Sequence, residues 1–125
     1  MSSKRILLGK TGENQACRFL QKKGYCIVQT NYRTRCGEID IIAKQGPVLV
    51  FIEVKTRRSS SFGSPLLAVT AKKQRQISMV AQEYLSRNNL FDTDARFDVV
   101  GMSIGAADHV KIEHIENAFE LSYGH

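Results

Sequence analysis

Hydrophobic positions follow two rhythms along this chain, one helical and one alternating. Over residues 11–23, Ala16, Cys17, Phe19 and Leu20 recur at helical spacing and predict a buried helix face. Thr11 can cap this first helix, and Gly24 is its stop signal. Residues 25–32 then alternate as a first strand, with Cys26 and Val28 opposite Ile27 and Gln29. Residues 37–44 read as a second strand and 48–56 as a third, joined by Lys44-Gln45-Gly46-Pro47 as a tight hairpin turn. The stretch 57–65, with Ser59-Ser60-Ser61 and Gly63-Ser64-Pro65, reads as a mobile loop. Thr70 caps a second helix to about Arg87, turning Ile77, Val80, Ala81, Tyr84 and Leu85 inward, and Asn88-Asn89 ends it. A fourth strand spans 96–104, residues 105–108 form a turn, and a fifth strand spans 109–115. The order αβββαββ predicts an α/β fold, a mixed sheet flanked by helices.

The 125 residues fit one domain, 1–125, with one core, and 42% hydrophobic content is enough to fold. The longest purely apolar run, residues 48–52, falls far short of the roughly 18 residues of a membrane span. The first ten residues lack a long apolar region and a small-residue cleavage site, so no signal peptide is read and the cytoplasm is the expected compartment. Cys17, Cys26 and Cys36 have neither zinc nor disulfide spacing, which leaves them as reduced thiols packed like small hydrophobes. A net charge of +6 points to a polyanionic partner, nucleic acid first, because each neutralised phosphate releases counterions.

Against this background, the second and third strands are unusual. Gly37-Glu38-Ile39-Asp40-Ile41-Ile42 and Phe51-Ile52-Glu53-Val54-Lys55 place ionisable groups inside apolar, β-branched runs. Buried charges are costly unless paired or bound to a metal. Strand alternation puts Glu53 and Lys55 on one face, and an even-length turn would bring Asp40 to the same side. Glu13, spaced three, four and seven residues before Ala16, Cys17 and Leu20, lies on or beside the buried helix face. Two readings stand for Glu13: an acid aimed at the same spot, or a first-turn complement to the helix dipole. Glu13, Asp40 and Glu53 around one point would suit Mg²⁺ or Mn²⁺, with Lys55 activating water and stabilising a phosphorane. The competing reading is a buried Glu53–Lys55 or Asp40–Lys55 ion pair without catalysis.

Asp40, twelve intervening residues, then Glu53-Val54-Lys55 resembles the Asp…Glu-x-Lys signature of the PD-(D/E)XK nuclease superfamily, and Glu13 matches the helical acid of its Holliday junction resolvase branch. Gly12-Glu13 with Ala16, Asn31-Tyr32-Arg33, Gly37-Glu38-Ile39-Asp40, Phe51 through Arg57, Phe62-Gly63 and Arg96-Phe97-Asp98-Val99 resemble the YraN-type family of small bacterial proteins. Ile39 stands where the superfamily signature has a proline. The resemblance implies a restriction-endonuclease-like αβββαβ core and metal-dependent cleavage of DNA, with branched DNA as a candidate substrate. It makes Asp40 and Glu53 metal ligands, Glu13 an accessory ligand and Lys55 the catalytic lysine. A junction with two-fold symmetry would call for a homodimer. The alternative is a nucleic-acid-binding module with an idle or auxiliary core, and a third is an interaction protein held by structural ion pairs.

Arg33, Arg35, Arg57 and Arg58 flank the candidate site in sequence and are assigned to phosphate contacts. Lys72, Lys73 and Arg75 open the second helix, where cations oppose the dipole; they read either as phosphate contacts or as a solvated basic face. Tyr32 and Phe62 are given packing roles over base stacking, Glu38 an outer one, and Asp98 a structural hydrogen bond. His109, His114 and His125 show no ligand spacing and receive no role.

Overall fold

The computed structural model describes residues 2–58, 63–105, 107 and 109–121, and for residues 2–11 the backbone alone. The elements are α1 (Ser2–Lys22), β1 (Cys26–Thr34), β2 (Gly37–Gln45), β3 (Val48–Arg57), a 3₁₀ turn (Pro65–Ala68), α2 (Ala71–Arg87), β4 (Ala95–Ile104) and β5 (Val110–Phe119). This is the expected order. The five strands lie in sequence order in one sheet, and only β3 and β4 run parallel. A parallel neighbour needs a crossover, and α2 is that crossover. The mixed sheet flanked by helices is consistent with a restriction-endonuclease-like core.

Several boundaries differ from the sequence reading, and β5 runs on to Phe119, past the expected end at 115. The first helix does not begin at Thr11 but runs from Ser2, so Thr11 and Gly12 are helix interior. A single Thr or Gly weakens a helix without ending it, and Lys4, Arg5, Leu7, Leu8 and Lys10 are helix-compatible. The end of the segment read as a loop after β3 takes regular structure: Ser64 caps the 3₁₀ turn and accepts the Leu66 N–H. Phe62 and the Ser59-Ser60-Ser61 run lie outside the described residues, as does His125. The hairpin turn sits one residue later than expected, with Gly46 (φ +58°) and Pro47 between the paired Gln45 and Val48. A glycine with positive φ followed by proline suits a two-residue turn.

Each helix covers one face of the sheet. Ala16 and Leu20 of α1 pack with Ile41, Ala43, Val50, Ile52, Val100 and Met102. Ile77, Val80, Ala81 and Tyr84 of α2 pack with Ile39, Ile42, Leu49, Phe51, Phe97 and Val99. Burying each of these large side chains contributes about 1.5–3 kcal/mol. Tyr32 joins the α2 side, edge-on to Tyr84 at 5.2 Å, in the packing role expected of it. Cys26, expected to pack, is exposed, and all three cysteines are free. Among the described residues no helix is long and apolar enough to cross a membrane.

At the end of the sheet where β4 begins, Asp98 is fully buried and saturated with donors. Arg96 Nε lies 3.0 Å from Oδ1, His114 Nε2 lies 2.8 Å from Oδ2, and the Asn117 amide donates to Oδ1 at 3.0 Å. Tyr25 adds a hydroxyl at 3.2 Å, and Lys23 reaches His114 Nδ1 at 2.8 Å. The network ties the end of α1, β1, β4 and β5 together. The hydrogen bond expected of Asp98 is therefore present, and His114, given no role from sequence, is one of its partners. Burial pushes the Asp98 carboxyl up, but the His114, Arg96 and Asn117 contacts outweigh it and hold the group below its usual 3.8.

Asp98→Ala should cost about 3–5 kcal/mol, since it leaves Arg96 without its buried partner. Asp98 supplies its stability fully above pH 3.8 and loses it as pH falls through its lower folded value. Urea melts of wild type and Asp98→Asn should differ most near neutrality and converge in acid. A gap that persists in acid would contradict this account.

Candidate functional site

The site begins where β2 and β3 part. Their ladder runs from Gln45–Val48 to Ile41–Ile52, and continued by one step it would set Asp40 opposite Glu53. Ile39 packs on the α2 side and Ile41 on the α1 side, so the alternation breaks at Asp40. There the Asp40 carboxylate accepts the backbone N–H of Val54 at 2.8 Å, a donor left over by the divergence of the strands. Across the fork the Asp40 carboxylate is near enough to act on the Glu53 carboxyl. Glu53 is 4% exposed, and both Lys55 Nζ and Lys73 Nζ lie 3.6 Å from its Oε2. Glu53 and Lys55 share a strand face as expected, the Glu53–Lys55 ion pair of the competing reading is present, and α2 adds a second cation.

Glu53 sits in a conflicted field. Burial and the neighbouring Asp40 carboxylate push its carboxyl from about 4.5 up to about 8, against the pull of Lys73 and Lys55. Two hydrophobic-core faces meet here, so the charge has little water to lean on.

Asp40 also belongs to a second grouping. Glu13, Glu38 and Asp40 each present a ligand atom within 4.8 Å of the others. Glu13 therefore does reach the strands, at Asp40. Gly12 eases its approach: a Cβ there would fall 2.5 Å from Thr56 Oγ1, so a larger residue would make the Thr56 side chain shift. Glu38, expected at the periphery, is a member of the cluster and pairs with Arg33 at 2.7 Å. Asn31 holds the group together. With its amide nitrogen turned toward the acids, since oxygen there would face only acceptors, it donates to Glu13 at 3.2 Å and Glu38 at 3.0 Å. Asn31 adopts φ +53° inside β1, a left-handed conformation that asparagine tolerates better than most residues.

The basic residues separate into groups. Lys73 is at the acids, and Arg33 is held by Glu38. Arg57 donates to the Gly63 carbonyl and fixes the loop end, while Arg58 and Lys72 are exposed and Arg75 is half-buried. Arg35 is not brought to the site: it lines a groove with Glu83, Ser86 and Arg87, and Glu83 lies about 15 Å along α2 from Lys73. Pro65 packs where Gly101, the β4 partner of Lys55, has no side chain; a Cβ there would fall 2.0 Å from the proline ring. Sequence reasoning missed Asn31 and the reach of Lys73. An asparagine amid strand formers was the available signal for the first; nothing local marked the second.

Hard oxygen donors at this spacing suit Mg²⁺ or Mn²⁺, and a divalent cation would relieve the crowding of carboxylates around Asp40. Among the described residues Glu13, Glu38 and Asp40 are the acids grouped closely enough to hold one; Glu38 takes the place expected for Glu53, which stands outside the group.

Below pH 4.5 Glu53 is protonated in folded and unfolded chains alike. Between 4.5 and 8 only the unfolded chain releases its proton, so this group lowers stability as pH rises through that window. Without divalent ions, Glu53→Gln should therefore gain thermal stability over wild type from pH 5 to pH 8; an unchanged difference would contradict the assignment. Asn31→Gly keeps the positive φ and removes the amide. It should fold like wild type yet bind Mn²⁺ about 10–100-fold more weakly by calorimetry. Equal affinity would show that the amide does not organise the acids.

Residues 12–102 match the model of the uncharacterised protein family UPF0102. The chain is 50% identical to a UPF0102 protein of Geobacter sulfurreducens over 117 residues, covering 94% of this chain and 91% of that one. It is 51% identical to one of Pelobacter propionicus over 117 residues (92% and 84%) and 49% identical to one of Alkaliphilus metalliredigens over 112 residues (90% and 96%). The matched residues include every acid and lysine of the cluster, and the chain belongs to the UPF0102 family.

Proposed function

We propose that this protein is a metal-dependent endonuclease that hydrolyses phosphodiester bonds in DNA, branched or otherwise structured DNA being the favoured substrate. The observation that carries the reading is the gathering at the strand fork of Asp40, on the Val54 amide, and the buried Glu53 with Lys55 3.6 Å from it. A buried acid crowded by a second, half-buried acid beside a lysine is expensive for stability and suited to chemistry on a phosphate. The sequence resemblance to the PD-(D/E)XK nucleases supports the same reading.

In it, Glu13, Glu38 and Asp40 hold Mg²⁺ or Mn²⁺, with Glu53 beside them. An ion held there would supply Lewis acidity toward the phosphate and toward water. Lys55 orients the attacking water and offsets charge that builds on the phosphate oxygens. Arg58 and Lys72, exposed on either side of the 59–62 stretch, contact the DNA backbone and position it without reading sequence. A bacterial DNA substrate places the reaction in the cytoplasm, and a two-fold junction would be cut by a homodimer.

The test is cleavage of labelled single-stranded, duplex, flap and four-way-junction DNA, with RNA alongside, in Mg²⁺ and in Mn²⁺. Wild type should cut at least one DNA, while Asp40→Asn and Lys55→Ala should each lose about 10²–10³-fold. Mn²⁺ at a hundred times its dissociation constant should add about 2.7 kcal/mol of stability to wild type. Binding without cutting would favour a nucleic-acid-binding module, and neither effect would leave the acids and lysines as structural ion pairs.

A further inference from the structure

We propose that Lys73 is a second lysine of this site, contacting the substrate directly, so that Lys55 and Lys73 together clamp one backbone phosphate of the nucleic acid. The inference rests on the reading of the site as a phosphodiesterase centre and adds a residue that the sequence signature does not contain.

The geometry is specific. Lys55 comes from β3 and Lys73 from α2, yet both ammonium groups lie 3.6 Å from the same Glu53 Oε2. They are similarly placed, with side chains 33% and 34% exposed beside a carboxylate that is 5% exposed. Each can therefore face both the carboxylate and an incoming ligand. Neither ammonium closes a short contact on Glu53, and each is a third exposed, so both keep donors free for an anion that arrives. At 3.6 Å both contacts are longer than a charge-assisted hydrogen bond, which leaves the ammonium donors directed elsewhere.

The position of Lys73 on its helix points the same way. Thr70 caps α2, and its Oγ1 accepts the Lys73 N–H at 3.2 Å, making Lys73 a first-turn residue. A cation there opposes the helix dipole and costs stability. The same end of the helix directs N–H groups outward and favours a phosphate. Two lysines from different elements around one carboxylate oxygen can straddle the non-bridging oxygens of a single phosphate.

The experiment measures duplex-oligonucleotide binding against salt in Ca²⁺, and single-turnover cleavage in Mn²⁺. It compares wild type, Lys73→Ala, Lys73→Met and, as a charge control, Lys44→Ala on the exposed end of β2. Lys73→Met keeps the aliphatic stem and serves if the alanine variant fails to fold. The clamp predicts that removing Lys73 reduces the slope of log K against log salt by about 0.9, the loss of one phosphate contact. It also predicts single-turnover cleavage falling about 10²-fold at saturating DNA, with Mn²⁺ affinity retained. Lys44→Ala should leave both readouts unchanged. An unchanged slope, or a rate at saturating DNA equal to wild type, would overturn the clamp. Wild type that binds but does not cut would sink the nuclease reading alone, and the slope would still decide Lys73. Wild type that neither binds nor cuts would overturn both.

Discussion

Beyond the Ile41–Ile52 pair, β2 and β3 stop sharing backbone hydrogen bonds, and the carboxylate of Asp40 takes the Val54 amide in place of a strand carbonyl. Much at this end of the molecule depends on that substitution. It satisfies a backbone donor, and it turns Asp40 toward α1 while leaving it against Glu53. It also opens a wedge into which Glu13 can reach from the helix. A continuous ladder would have buried Asp40 between two side chains of a flat sheet, far from α1.

Two buried carboxylates in the same sheet show how environment divides their roles. Asp98 is surrounded by donors: His114, Arg96, the Asn117 amide and the Tyr25 hydroxyl. Its ionised form is favoured despite complete burial. Glu53 meets another carboxylate and two ammonium groups at a distance, and its ionised form is disfavoured. The first arrangement locks four elements together. The second leaves unsatisfied demand for positive charge, as a site that takes up a cation must.

Much of this was legible in the sequence. Periodicity located both helices because each buries one face, short apolar runs bounded by turn residues located the strands, and the inward residues of α1 and α2 are those the spacing selects. The shared face of Glu53 and Lys55 followed from strand alternation. The sequence reading faltered where side chains reach across the fold. Glu38 looked like a strand end, and only the bend at Asp40 draws it toward Glu13. Lys73 sat among other cations of a helix start, and nothing local distinguishes it from Lys72, one residue back and exposed. His114 lacked any ligand spacing because its partner lies on the neighbouring strand.

β1 is an edge strand, and it is not straight. Its register with β2 shifts at Val28, and Asn31 takes a left-handed turn within it. A regular edge offers a row of free amides and carbonyls to any extended chain that drifts by. A kinked edge cannot keep such a chain in step. The distortion that carries the Asn31 amide to Glu13 and Glu38 therefore also makes this border a poor template, and reverting it to regular strand would loosen the acids and invite strand-to-strand self-association together.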